Sequence, residues 1–291
     1  MNSSGQKRMG PVGNFEWACT SVMGSFYPKI TVVTPSYNQG QYLEQTIKSV
    51  IGQNYPNLEY IVMDGGSTDQ SVSIIERYER YLAYWVSAPD GGQSRAIAKA
   101  FDMATGDIVA WLNSDDIYLP GTLQKLSEAY NANLSAEWWI GNTFTINPQN
   151  HVVKRWYARP TNLQKLLYSG MPAAQPSTFW KRETYVELGG LDANMQFCFD
   201  YDLNIRFAQR ASPFIITSFL SAFRFHPTSK TSTIMDVRRE EDRLVWKRYG
   251  KRDHSRLYGA ITTVYYKVPP YLWHMSRLLL DRESARITSI N

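Results

Sequence analysis

The sequence predicts an α/β protein: a mainly parallel, Rossmann-like sheet with helices on both faces, then a smaller mixed region and a helical C-terminal tail. Three observations predict it. Short β-branched and aromatic runs alternate with helix-periodic stretches from Ile30 to Leu112, the pattern of βαβ units. After about residue 135 the alternation gives way to longer extended runs separated by short helices. From Asp236 onward the chain is helical, basic and aromatic.

Taken in order, residues 1–28 lack periodicity, are rich in Ser, Gly and Asn, and read as a flexible leader with a few aromatic anchors. Ile30 to Thr34 is a first strand. Tyr42, Leu43, Thr46, Ile47, Val50 and Ile51 recur at helical spacing over 41–53. Glu59 to Met63 is a second strand, followed by a helix over 70–82 with Val72, Ile75, Tyr78 and Leu82 on one face. Tyr84 to Ser87 is a third strand. A helix over 94–105 turns Ile97, Ala100, Phe101 and Ala104 inward, and Asp107 to Leu112 is a fourth strand. Beyond it, Trp138 to Ile146 reads as an antiparallel strand. Ser177–Trp180 and Pro213–Phe225 read as extended, with short helices at 161–168, 182–188 and 200–210. The mixed region is expected to pack on the first and supply the second wall of a cleft. Pro269 and Pro270 break any helix in the tail. The expected division is a domain over 29–230, with halves 29–133 and 134–230, and a basic helical extension over 231–291.

In parallel sheets of this kind ligands bind beyond the carboxyl ends of the strands. The four strand ends here are Thr34-Pro-Ser-Tyr-Asn38, Asp64-Gly-Gly-Ser-Thr-Asp69, Ala88-Pro-Asp-Gly-Gly-Gln-Ser94 and Asn113-Ser-Asp-Asp116. All four are polar and three carry carboxylates. Dinucleotide binding would need G-x-G-x-x-G after the first strand, and a P-loop would need G-x-x-x-x-G-K-[ST]; neither is present.

Composition sets wider bounds. With 43% hydrophobic and 20% charged residues the chain is an ordinary globular protein. Two cysteines, Cys19 and Cys198, have neither metal-ligand nor disulfide spacing, which favours a reducing, cytoplasmic setting; Cys198 reads as an apolar filler. No stretch resembles a signal peptide or is long and apolar enough to span a bilayer. From Arg238 to Asn291 there are twelve Lys/Arg against six Asp/Glu, a net of +6 beside +5 for the whole chain. This basic, aromatic tail suits an anionic membrane surface, with peripheral attachment to the inner face, or is a solvated helical face. No nucleic-acid partner is expected.

Asp115 and Asp116 follow a buried apolar run, with no Lys or Arg within eight residues on either side. Buried carboxylates need partners, and a hard divalent cation, Mn²⁺ or Mg²⁺, is a suitable one.

Four strings together, Thr34-Pro-Ser-Tyr-Asn38, Val62-Met-Asp-Gly-Gly-Ser-Thr-Asp69, Ala104-Thr-Gly-Asp107 and Leu112-Asn-Ser-Asp-Asp116, resemble glycosyltransferase family 2 in order and spacing. The resemblance covers about residues 29–226. It implies a GT-A fold and an inverting, metal-dependent transfer of a sugar from a nucleoside-diphosphate donor, UDP being favoured. The acceptor would be a hydroxyl of a saccharide or lipid-linked saccharide.

The resemblance assigns Asp64 to the nucleobase and Tyr37 to base or ribose, with Thr34 and Pro35 on the same loop. Asp69 reads instead as the cap of the next helix. Asn113-Ser-Asp-Asp116 matches the family's Asp-x-Asp motif, with Asn113 in place of the first acid. Asn113 and Ser114 would then face the nucleotide sugar, Asp115 would hold the metal, and Asp116 and His226 would complete its shell. Asp90 belongs to the third loop, where relatives carry Asp at the Arg95 position and Asn at the Ala98 position. Arg95 either contacts the diphosphate or is a surface residue. Arg224 and Lys230 are further diphosphate contacts. Asp200 matches the base that deprotonates the acceptor, with Asp202 as the alternate. Gln175 and Trp180 fit the acceptor-side wall, Trp180 by stacking on a sugar face. Competing readings are a non-catalytic nucleotide-sugar binding module, prompted by Asn113, Arg95 and Ala98, and a sugar-phosphate nucleotidyltransferase. The latter lacks its Gly-rich basic loop here.

Overall fold

A computed structural model of the chain describes residues 26–251 and 289–290. The leader up to residue 25, Cys19, Pro269, Pro270 and most of the basic tail lie outside the described residues. The part of the leader that is described is tied down. Asn131 donates to the Phe26 carbonyl at 2.8 Å, and the Tyr55 hydroxyl donates to the Pro28 carbonyl at 2.7 Å.

The first half alternates as its periodicity predicts: β1 (Ile30–Ser36), α1 (Gly40–Ile51), β2 (Leu58–Asp64), α2 (Ser71–Tyr78), β3 (Tyr84–Ser87), α3 (Gln93–Met103) and β4 (Ile108–Trp111). The helix expected over 70–82 stops at Tyr78. A 3-10 turn, Glu79–Tyr81, completes it, and Leu82 is already extended. Next come β5 (Ile117–Tyr118), α4 (Thr122–Ala132), β6 (Trp138–Ile146), β7 (Val152–Trp156) and α5 (Leu163–Ser169). A 3-10 turn (Gln175–Ser177) leads to β8 (Thr178–Lys181), α6 (Arg182–Glu187), α7 (Phe199–Arg210), β9 (Phe214–Arg224), α8 (Lys230–Thr233) and α9 (Met235–Arg248).

The described strands form one nine-stranded sheet in the order β3-β2-β1-β4-β8-β6-β9-β5, with β7 also on β6. β1 to β4 pair in parallel. β8 then runs antiparallel to β4, and β6 antiparallel to β8. So the mixed region does not pack on the first sheet; it extends it. β6 is antiparallel to β7 and β8, as expected, but parallel to its longest partner, β9. Hydrophobic periodicity reports faces and carries no strand direction, which is why the sequence missed this pairing.

Alternation along β1 shows how the sheet is covered. Val32 joins Leu43, Ile47 and Val50 of α1 and Ile74 and Ile75 of α2 on one face. Val33 joins Ile97, Ala100 and Phe101 of α3 on the other, together with Trp111, Trp180 and α7. Each strand residue points opposite to its neighbour, so one strand nucleates both cores. At roughly 2 kcal/mol per fully buried aliphatic side chain, these two layers are the main source of stability. The short loops they hold rigid carry the polar groups.

The β6–β9 pairing shifts register around Asn142. The Asn142 amide nitrogen donates to the Thr217 carbonyl at 2.8 Å, which satisfies a backbone group freed by the bulge. Gly141 is required beside it, because a Cβ there would overlap the Leu220 side chain. No described helix is long and apolar enough to cross a membrane.

Candidate active site

The carboxyl ends of β1, β2, β3 and β4 converge. Ser36 of β1 lies in register with Asp64 of β2, which in turn pairs with Ser87 of β3. Asp64 is 1% exposed. Its Oδ2 accepts from Gly66 N at 3.2 Å, Ser67 N at 2.8 Å and Ser87 Oγ at 2.7 Å; its Oδ1 accepts from Ser67 Oγ at 2.6 Å. Asp64 therefore first of all holds its own loop, and one acceptor position on Oδ1 is left over. Tyr37 is exposed beside it. A Cβ on Gly65 would lie 3.3 Å from the Tyr37 ring and 3.1 Å from Asp90 Oδ2, so Tyr37 and Asp90 flank a notch that only glycine leaves open. Asp69 caps as expected: it accepts from Ser71 N at 2.9 Å and also from Gly40 N at 2.8 Å, joining the starts of α2 and α1.

Asn113 to Asp116 form a tight turn closed by Asp116 N donating to Asn113 O at 3.0 Å. Thr46 from α1 clamps the turn by donating to the Ser114 and Asp116 carbonyls. The two acids then face different ways. Asp115 Oδ2 lies 3.0 Å from His226 Nε2, and His226 Nδ1 lies 2.9 Å from the Thr228 hydroxyl. Asp115 keeps 16% of its side-chain surface and His226 keeps 2%. Asp116 is fully buried, accepting from Arg224 N at 2.8 Å and Asn113 Nδ2 at 3.3 Å. Burial and the neighbouring Asp115 charge hold its carboxyl well above the usual range.

No cluster of three His, Cys, Asp or Glu side chains suited to a metal ion occurs among the described residues. Asp115 and His226 are nevertheless a carboxylate and an imidazole converging at one partly open point, with His226 oriented by a hydroxyl behind it. This donor pair fits a small divalent cation that takes its remaining ligands from phosphate oxygens and water. The expected third ligand, Asp116, does not belong to it, because its oxygens are turned into the protein.

A chain of amides runs beside the turn. Lys230 Nζ donates to Gln93 Oε1 at 2.7 Å, Gln93 Nε2 to Asn113 Oδ1 at 2.7 Å, and Asn113 Nδ2 to Gln175 Oε1 at 3.4 Å. Gln175 Nε2 in turn donates to the Trp111 carbonyl at 2.9 Å. Burial lowers Lys230 to about 8 against the opposing pull of Asp200 and Glu241. Asp200, in the first turn of α7, is partly buried. Burial pushes it up to about 6, although Tyr201 N and the Lys230 charge favour its ionised form.

Several expected roles are corrected. Thr34 is fully buried and bonds the Tyr60 hydroxyl at 3.0 Å, and Pro35 is a buried strand residue, so neither side chain faces a ligand. Ser114 is 5% exposed and contributes its carbonyl to the Thr46 clamp. Trp180 is fully buried, stacked on Trp111 at 4.6 Å with its Nε1 donating to Asn204, so it cannot stack on a sugar. Asp202 is taken up by Arg206, Arg248 and the Tyr249 hydroxyl, which removes it as an alternate base.

Arg224 is also buried. It donates to Asp115 O, Asn150 Oδ1 and Gln45 Oε1 and lies over the Tyr42 ring, so it braces the metal turn and does not reach a diphosphate. Arg95 remains exposed over Gly91 and makes no hydrogen bond or ion pair with the described residues. The sequence reading missed Gln93, which joins Lys230 to Asn113. Its one signal was a long polar side chain directly after Gly91-Gly92 at a helix start.

Known proteins resemble this chain in sequence and in fold. Residues 31–182 match the family model described as Glycosyl transferase family 2. An uncharacterized glycosyltransferase of Mycobacterium tuberculosis is 30% identical over 203 residues, covering 67% of this chain and 75% of that protein. The putative teichuronic acid biosynthesis glycosyltransferase TuaG of Bacillus subtilis is 36% identical over 111 residues, 36% of this chain and 43% of the relative. Among solved structures, Staphylococcus aureus TarS in complex with UDP-GlcNAc superimposes with a TM-score of 0.59 at 18% identity, covering 82% of this chain and 71% of that one. A mannosyltransferase of Pyrobaculum calidifontis in complex with GDP-Man and Mn²⁺ gives 0.55 at 18% identity, covering 83% and 70%. These likenesses show the GT-A fold, and the family match over more than half of the chain shows that the protein belongs to glycosyltransferase family 2 and is a glycosyltransferase.

Proposed function

We propose that the enzyme transfers a sugar from a nucleoside-diphosphate donor, UDP being favoured, to a hydroxyl of a saccharide or lipid-linked saccharide, with inversion at the anomeric carbon. The observation that carries this reading is the Asp115–His226 pair at 3.0 Å, on the same strand-end floor as Asp64 and Tyr37. TarS and the Pyrobaculum mannosyltransferase hold nucleotide sugars in their structures. A Campylobacter jejuni relative, 30% identical over 112 residues, is named as a glucosyltransferase acting on an undecaprenol-diphosphate-linked saccharide.

The base would dock against Tyr37, with Asp64 Oδ1 and Asp90 as acceptors for its N–H edge. Asp115 and His226 would hold Mn²⁺ or Mg²⁺, which supplies charge neutralisation for the leaving diphosphate. Asn113 contributes a neutral oxygen and keeps its amide on Gln175, at the acceptor side. Among the described residues, Arg95 would turn toward phosphate, and Lys230 would do so by exchanging Gln93 for it. Asp200 takes the acceptor proton as the acceptor oxygen bonds to the anomeric carbon and the diphosphate oxygen departs with the electron pair. A carboxyl raised to about 6 is a base of useful strength near neutral pH. The basic tail, with its +6 net charge, would rest on the anionic inner surface of a membrane.

Thermal-shift measurements with UDP or GDP, each with and without Mn²⁺ or Mg²⁺, test the core of this reading. Stabilisation that requires the metal is expected. Equal shifts for every nucleotide without metal would remove it. Co-sedimentation with anionic vesicles, falling as salt rises, tests the membrane contact separately.

A further inference from the structure

Glu241 lies on the second turn of α9 and has no part in the transfer chemistry, yet its carboxylate is buried, 8% exposed. Its oxygens accept three successive backbone N–H groups: Gln196 N at 2.6 Å, Phe197 N at 2.8 Å and Cys198 N at 2.7 Å. Those amides lead directly into α7, whose second residue is Asp200. The first amides of a helix have no partner within it, and Cys198 at the N-cap makes no side-chain cap. The acceptor comes instead from an element more than forty residues on. At the far end of α9, Arg248 Nη1 reaches Asp202 Oδ1 at 2.7 Å and Arg248 Nη2 reaches Asp192 at 3.0 Å, with the Tyr249 hydroxyl 2.8 Å from Asp202. α9 therefore grips α7 on both sides of Asp200. Lys230 of α8 and Arg238 of α9 are the cations whose charges act on Asp200.

We propose that Glu241 is a positioning residue for Asp200: by accepting the amides of residues 196–198 it fixes the first turn of α7 and so the direction of the Asp200 carboxylate toward the acceptor oxygen. The inference rests on Asp200 being the base. A carboxylate suits the task because its hydrogen bonds to backbone N–H groups are charge-assisted and its charge is favourable at a helix N-terminus. Removing it frees three amides, the buried one of Cys198 among them, which rearrange toward other acceptors and carry Asp200 with them. A displacement on the order of 1 Å at a reacting group costs up to about a hundredfold in rate.

The test compares Glu241→Ala, Glu241→Gln, Asp200→Asn and the surface control Asp236→Asn in the full chain. The readout is single-turnover release of nucleoside diphosphate from UDP-glucose, UDP-N-acetylglucosamine or GDP-mannose with water as acceptor, across pH. For Glu241→Ala the rate constant is expected to fall about ten- to a hundredfold while donor affinity changes less than about twofold. Its acid limb is expected to move from that of the native enzyme. Glu241→Gln keeps an acceptor oxygen and is expected to recover part of the rate; it also serves where the alanine variant fails to fold. Asp236→Asn is expected to behave as native. Native rate and native acid limb in both Glu241 variants, beside an inactive Asp200→Asn, would overturn the Glu241 inference alone. Full turnover in Asp200→Asn, or no turnover by the native enzyme with any of the three donors, would overturn the base assignment and the inference with it.

Discussion

The two acids that share the string Asn113-Ser-Asp-Asp116 end in opposite surroundings. Asp115 keeps an open face and an imidazole at 3.0 Å, while Asp116 is sealed under the Arg224 backbone. Asp115→Asn is therefore expected to lose the metal-dependent part of any UDP-induced thermal shift with only a small change in melting temperature. Asp200 and Lys230 set a pH window. In the proposed mechanism Asp200 must be ionised and Lys230 charged, so kcat/KM is expected to be bell-shaped with limbs near 6 and 8. Asp200→Asn would abolish the rate and Lys230→Gln would remove the alkaline limb. Asp200 also works against the fold. Its folded pKa lies above its ordinary value of 3.8, so the native state binds more protons and stability declines as pH rises from about 4 through about 6. Asp200→Asn is therefore expected to be more stable than the native protein at pH 8, by on the order of 2 kcal/mol, with the difference vanishing near pH 4. Equilibrium urea unfolding at the two pH values checks the sign.

Among elements, the first four strands and three helices were legible because each buries one face at a clear period. Leu43, Ile47 and Val50 on α1 and the alternation of Val32 with Val33 leave little choice. Site residues were legible only where chemistry and position coincided. The proposed site residues Asp115, Asp200 and His226 each sit at or just beyond the end of an element. Trp180 could not be placed, because an aromatic residue in an extended run looks the same whether it faces sugar or core. Its stack on Trp111 and its bond to Asn204 are long-range pairings, to which local pattern is blind. Trp180→Ala is thus expected to cost about 3–5 kcal/mol of stability. Activity per folded molecule should stay near native, measurable by denaturation and by active-site titration. A selective loss of acceptor affinity without destabilisation would restore the sugar-stacking role.

For the whole molecule, the segment that matches the family model, residues 31–182, does not contain the whole proposed site. Asp200, His226 and Lys230 lie beyond it, and so does β9, which covers β6 along nearly its full length. A chain ended at residue 182 is expected to lose cooperative unfolding and any metal-dependent nucleotide shift, read by circular dichroism and thermal shift. The irregular pairing of β6 with β9 has a consequence for how such a site can arise and fail. Between its contacts with Trp139 and Ile146, β9 advances from Phe214 to Arg224, ten steps against seven on β6. The surplus is odd, so the bulge inverts the phase of the strand. Beyond it, Arg224 turns inward under the acid pair, Phe225 turns to solvent and His226 meets Asp115. Deleting one residue at 217 or 218 would advance the frame by one: Phe225 would take the place of Arg224, and Pro227 the place of His226. The sheet could still form, but the imidazole would be lost from the site, so the identity of one of its proposed metal ligands is encoded in a count of residues some ten positions away.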